Sequence, residues 1–208
     1  MSAAEVQELA AKRKGTLQLL RQACLGNVFF LNTVLLSKDG ANGSGLEQQK
    51  FAKTAADYLI LGLSVAQILD LSTGYEYAKA LDLLLSEYEA HTAINISKPE
   101  RTRLFRLSKS SRSKHTPDLN RSFLYLKSTP VPFEVDIEEV VIALCTILSD
   151  AYEKMATSVI TSSSAVELFY KADLVIHSAV ITPLIMEYET HALEATTVEF
   201  RQLEMATA

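Results

Sequence analysis

Asp136-Ile-Glu-Glu-Val-Val-Ile-Ala-Leu-Cys-Thr-Ile-Leu148 can be read in two ways, and the choice sets the fold class. Val140 to Leu148 is apolar except for Thr146, which is the length and composition of a buried strand. Two features favour helix. Asp136 stands three residues before Glu139, the spacing of a capping box, in which the first side chain accepts from an orphan N–H and the second reaches back to the cap. The apolar pattern then continues through Ala151, Tyr152 and Met155 at helical spacing, beyond the length of an ordinary strand. A helix over about 137–158 is predicted.

The same start signal recurs at Ser2/Glu5, Ser44/Glu47, Thr73/Glu76 and Ser164/Glu167, and each opens an apolar run. The chain has 208 residues, of which 48% are hydrophobic, with no Trp, 7 Gly and 5 Pro, a composition suited to long uninterrupted helices. The expectation is an all-α, elongated bundle of about five helices forming one domain over 1–208, with almost no sheet. Helix 1 is predicted over 3–37, because Leu17, Leu20, Cys24, Asn27, Leu31 and Val34 follow coiled-coil spacing with Asn27 as the polar member. Helix 2, over 45–71, is apolar nearly all round in its second half and is predicted to be central. Helix 3 follows to about 92. Leu71-Ser-Thr-Gly74 leaves open whether these two form one kinked helix or a hairpin. Helix 5 is predicted over 165–205, kinked or split near Ile181 by Pro183, with its last turns projecting around Val198, Phe200 and Leu203. Leu20, Leu31, Leu59, Leu63, Val141, Leu144, Leu148, Ile176 and Val180 are the expected core.

Residues 93–133 break the pattern and form a basic, Ser-rich insertion between helices 3 and 4. From Lys98 to Arg121 eight bases face two acids, a net +6 in a chain of net −5, which leaves −11 elsewhere. This composition suggests a long mobile segment. Pro130 and Pro132 then force extended backbone, with Phe133 as the expected anchor.

No catalytic motif stands out. Gly-x-Ser-x-Gly and phosphate-loop patterns are absent from the sequence. Glu87-Tyr-Glu-Ala-His91 recurs as Glu187-Tyr-Glu-Thr-His191, but the four-residue Glu–His spacing departs from the three of di-iron bundles. Its expected role is a solvated acidic helix end with a dipole-complementing His, and no metal or cofactor is expected. Cys24 and Cys145, far apart in apolar stretches, read as buried thiols. His177, among Val175, Ile176 and Val180, reads as a half-buried structural histidine. The first eleven residues carry two acids and lack a signal-peptide pattern, so a cytoplasmic location is expected.

The basic segment is therefore the candidate site. Arg101, Arg103, Arg106, Lys109, Arg112 and Lys114 are the expected contacts for an acidic protein partner, with Ser108 and Thr116 as phosphorylation positions that would cancel the charge. Nucleic acid is disfavoured, because the net charge is negative and only Phe105 offers a stacking group. The expected function is a non-enzymatic protein–protein interaction module, a scaffold or adaptor subunit of a cytosolic complex. Two alternatives stay open: a homodimeric helical protein that meets anionic membrane through the basic segment, and a metal-dependent helical-bundle enzyme.

Overall fold

A computed structural model describes residues 3–30, 34–35, 45–71, 74–104, 123–128, 130–133, 135–161 and 164–207. The fold is all-α: α1 (Ala3–Cys24), α2 (Gly45–Leu69), α3 (Tyr75–Leu104), α4 (Ile137–Thr161), α5 (Ser164–Ile176) and α6 (Thr182–Thr207). A π-helical turn, His177–Ile181, joins α5 to α6 without interruption, so the two make one long element and the helical bodies number five. Each of these five bodies begins within two residues of one of the five start signals. At α4 the cap itself is visible: Asp136 Oδ1 accepts from the N–H groups of Glu138 (2.9 Å) and Glu139 (3.4 Å). Among the described residues the only strand pairing is Phe29–Phe30 (β1) against Val34–Leu35 (β2).

The stretch that decided the fold is the middle of the bundle. Val141, Leu144, Cys145, Leu148, Ala151, Tyr152 and Met155 are all buried, a helical repeat rather than an alternation. Centrality thus falls to α4, not α2. Long-range contacts fix the directions. Lys14 Nζ meets Glu153 Oε2 at 2.7 Å and Cys24 lies beside the Glu138 carbonyl, so α1 runs antiparallel to α4. Gly62 faces Leu144 and Ile147, while Lys154 Nζ donates to the carbonyls of Leu69 and Leu71, so α2 runs parallel to α4. The same ammonium sits 4.8 Å from the Tyr77 ring centroid and caps the end of α2. Tyr152 joins α5 to α4 through Asp173 and Phe169, and Arg13 meets Asp173 while Cys24 meets Tyr188, so the α5–α6 element runs parallel to α1 and antiparallel to α4. The question of one bent helix or two is settled by His91 Nε2, 3.4 Å from Asp57 Oδ1: α2 and α3 are an antiparallel hairpin.

Pro183 does not split the helix, which accommodates it by a specific device. The Thr182 N–H donates to the His177 carbonyl, five residues back, so the helix widens by one residue immediately before the proline ring. His177 Nδ1 is 3.3 Å from Thr182 Oγ1 and half-buried, in agreement with its structural reading.

Several expectations need correction. Helix 1 stops at Cys24, not near residue 37. Gly26 has φ 68°, its N–H bonds to the Ala23 carbonyl and that of Asn27 to the Gln22 carbonyl, which together form a Schellman stop. Asn27 is therefore the residue after the cap and no part of a seam. Leu31 lies outside the described residues. Helix 3 runs on to Leu104, past residue 92, where Ala93 to Ser97 offers no Gly or Pro to stop it. Leu63 is 54% exposed and Leu59 half-buried. The buried side of α2 is centred on Tyr58, Leu61, Val65 and Ile68, and a residue two on from Leu61 points about 200° away from it. Phe133, the expected anchor, is 65% exposed; the extended chain is pinned earlier, at Leu126.

Candidate interaction surface

The basic segment returns to the bundle at Phe123, whose ring stands edge-on to His91 with centroids 6.2 Å apart. The next residues bend at Leu124 and Tyr125 against the α2–α3 hairpin and present backbone donors that need acceptors. Glu87 of α3 supplies them. Its Oε1 accepts from Leu124 N–H at 2.7 Å, and its Oε2 from Tyr125 and Leu126 N–H at 2.9 and 2.8 Å. Ser64 of α2 supplies a fourth: its hydroxyl accepts from Lys127 N–H at 3.0 Å and donates to the Ile60 carbonyl at 2.7 Å, which satisfies a fully buried polar group. Leu126 is the one fully buried side chain of this strap, and a three-residue turn from Ser128 N–H to Leu126 O reverses the chain ahead of the prolines. The clamp reads backbone rather than side chains.

The Glu87–His91 pair was legible only as half of a repeat, and its expected role is overturned. Glu87 is a part-buried acceptor of three amides and His91 pairs with Asp57 in mid-helix, since α3 continues to Leu104. Glu87→Ala should cost about 1–3 kcal/mol, because it strips donors of their acceptor. Hydrogen exchange should quicken at Leu124, Tyr125 and Leu126 while the Leu144 amide stays protected. An unchanged exchange pattern would show that the strap is held elsewhere.

Of the six predicted contact residues, Arg101 and Arg103 fall on the last turn of α3. Arg106, Lys109, Arg112 and Lys114 lie outside the described residues, as do Ser108 and Thr116. The structure does place both attachments of the segment. It leaves α3 at Leu104, thirteen residues past His91, and returns at Phe123 beside His91. Asp57, Glu138 and Cys24 stand at the same end of the bundle.

That end is also where α6 leaves the core. Tyr188 packs edge-on against Phe30 (5.6 Å between centroids), and Ala192 is the last buried residue of the helix. Beyond it α6 projects for about 20 Å. Leu193 (69% exposed) and Phe200 (64%) share a face at seven-residue spacing, with Leu203 also exposed. The expected projection of the last turns is seen.

The remaining reactive groups serve the fold. Asp173 accepts from Arg13 Nε at 2.8 Å, from Arg13 Nη2 at 3.0 Å and from the Tyr152 hydroxyl at 2.8 Å, which ties α1, α4 and α5 together. An acid amid Ala172, Leu174, Val175 and Ile176 was the signal for such a partner, and it went unread. Both cysteines are buried and unbridged; burial pushes the Cys145 thiol up to about 12 and raises that of Cys24. Among the described residues no three His, Cys, Asp or Glu side chains group as metal ligands. The run Ser164–Ala206 is long and apolar enough, by length and composition, to cross a membrane. Here Phe169, Ile176, Val180 and Leu184 of that run lie in the protein core, and Asp173 in its first third is paired. An apolar groove of about 230 Å³ between α2 and α4, lined by Leu59, Leu63, Ala143 and Ile147, has Glu139 as its one charged neighbour.

No protein-family model, curated protein or solved structure matches this chain.

Proposed function

We propose that this chain is a protein–protein interaction module, a scaffold or adaptor subunit of a cytosolic complex, which engages an acidic partner through its basic segment. The observation that supports this reading is the double tether. The +6 stretch begins in the projecting last turns of α3 and rejoins the body just beyond Phe123, where four hydrogen bonds to Glu87 and Ser64 lock the chain at one end of a five-helix body. A fixed body with a charged loop held at one end concentrates potential where a partner can meet it. The reading is non-catalytic. Three of the groups best suited to chemistry are taken up by structural contacts: Asp173 by Arg13 and Tyr152, Glu87 by amides, His91 by Asp57.

The test reverses Arg103, Arg106 and Lys109 to Glu in the full chain and compares recovery of associated proteins from extract, alongside sedimentation with anionic vesicles. Loss of specific protein partners with an unchanged melting curve is expected. The loss should be mimicked by raising salt to the range where the Debye length falls below about 10 Å. Retention of all partners by the reversed protein would refute the reading, and loss of vesicle binding alone would transfer it to a membrane surface.

A further inference from the structure

We propose that the outer half of α6, residues 193–207, is a docking surface for the chain's own basic segment. Placement comes first. The segment leaves α3 at Leu104, thirteen residues past His91, and returns at Phe123, against the His91 ring. Tyr188 of α6 packs at this end, beside Phe30 and the end of α1. Because α3 runs antiparallel to α2 and α5 antiparallel to α4, while α2 and α4 are parallel, α3 and α6 point outward in the same direction. α3 also packs against α5, so the two projections rise from neighbouring helices. The last described turn of α3 and the outer half of α6 thus project from the same end of the bundle.

The two surfaces also match in chemistry. The outer half of α6 carries Glu194, Glu199 and Glu204 against the single base Arg201, and it exposes Leu193 and Phe200 on one face. The segment Arg101-Thr-Arg-Leu-Phe-Arg-Leu107 interleaves bases with Leu104, Phe105 and Leu107. Acids beside exposed apolar groups on one element meet bases beside apolar groups on the other, and this complementarity selects the occupant. An identical α6 from a second copy would set acid against acid.

Energetics define what such docking can do. Each exposed ion pair contributes roughly 0–1 kcal/mol, so no single contact holds the segment. A double tether turns association into an intramolecular event at an effective concentration in the millimolar range, enough for several weak contacts to act together. The outer half of α6 then imitates the acidic partner and competes with it. The docking itself depends only on the chain's own charges, so it can be tested without a partner, and its failure is separable from failure of the interaction reading.

The experiment places spin labels at Ser111→Cys and Thr197→Cys in the full chain; Cys24 and Cys145 are buried, so the introduced thiols take the label. A short-distance population is expected at low salt, with a severalfold loss near 1 M salt, where the Debye length is about 3 Å. Glu194→Lys with Glu199→Lys should abolish that population, as should Arg103→Glu with Arg106→Glu. Combining the four should restore it. Phe200→Ser should weaken it without changing charge. All α6 positions used are exposed, so the helical spectrum should persist in every variant. A distance distribution indifferent to salt and to both charge reversals overturns the proposal. So does a short distance found only when singly labelled chains are mixed, which would assign the contact to a second copy.

Discussion

Asp173→Ala should destabilise the protein by about 3–5 kcal/mol, the largest single effect expected of any polar residue in the fold. The carboxylate holds three helices at once. Arg13 of α1 grips it with both fork nitrogens, at 2.8 and 3.0 Å, and Tyr152 of α4 donates to Oδ1 at 2.8 Å. Burial, reinforced by the neighbouring acid, raises the Tyr152 pKa, so the phenol remains a protonated donor. The guanidinium pKa of Arg13 is raised by its hydrogen bond to Asp173, against the opposing effect of burial. Removing the acid leaves a cation and a hydroxyl facing the core without acceptors. The Arg13 side chain keeps 18% of its exposure and recovers some hydration, which places the loss toward the lower half of the range.

The cost of breaking the network is not its net contribution to stability. Replacing both ions by apolar groups, Arg13→Met with Asp173→Leu, removes the buried charges together and should come within about 1–2 kcal/mol of the parent. Denaturant midpoints at constant m-value measure all three variants. If Asp173→Ala cost no more than the roughly 0.5 kcal/mol of a surface change, the network would not be the lock that joins α5 to α1 and α4.

The sequence carried most of the fold because helix starts are local chemistry. Five capping signals, read from residues three apart, lie within two residues of five observed starts. Helix ends were less legible. Gly26 stops α1 by adopting φ 68°, but in sequence it was one glycine inside an apolar pattern that continued past it at Leu31 and Val34. Facing was also under-determined where α2 is apolar all round, since periodicity cannot choose a side when every side is apolar; Leu63 was misplaced for that reason. The strap was hidden for a different cause. Glu87 and Ser64 recognise backbone amides, and nothing in residues 124–127 advertises that their N–H groups will find acceptors thirty-seven or more positions away. The basic segment, by contrast, was plain in sequence as a charge run, and the structure adds where it rejoins the bundle.

Leu144→Ala should cost about 2–5 kcal/mol, while Leu63→Ala should cost under about 1 kcal/mol, although both residues sit in apolar runs of equal appearance. Leu144 is 1% exposed on the central helix, with a methyl 3.6 Å from where a side chain on Gly62 would begin. Truncating it empties a site walled by two packed helices, which can collapse only partly. Leu63, one residue beyond Gly62, already gives more than half its surface to water. Gly62 offers an independent check of the same interface. A methyl group there would meet Leu144 and Ile147 at 3.6 and 3.7 Å, ordinary contact distances, and would lower the conformational freedom of the unfolded chain. Gly62→Ala should therefore stabilise the protein by about 0.4–1 kcal/mol. Combined with Leu144→Ala it should recover part of that loss, since the two positions are in contact and cannot add independently. Equal costs at Leu144 and Leu63 would mean that α2 is rotated on α4, and the Ser64 side of the strap clamp would have to turn with it.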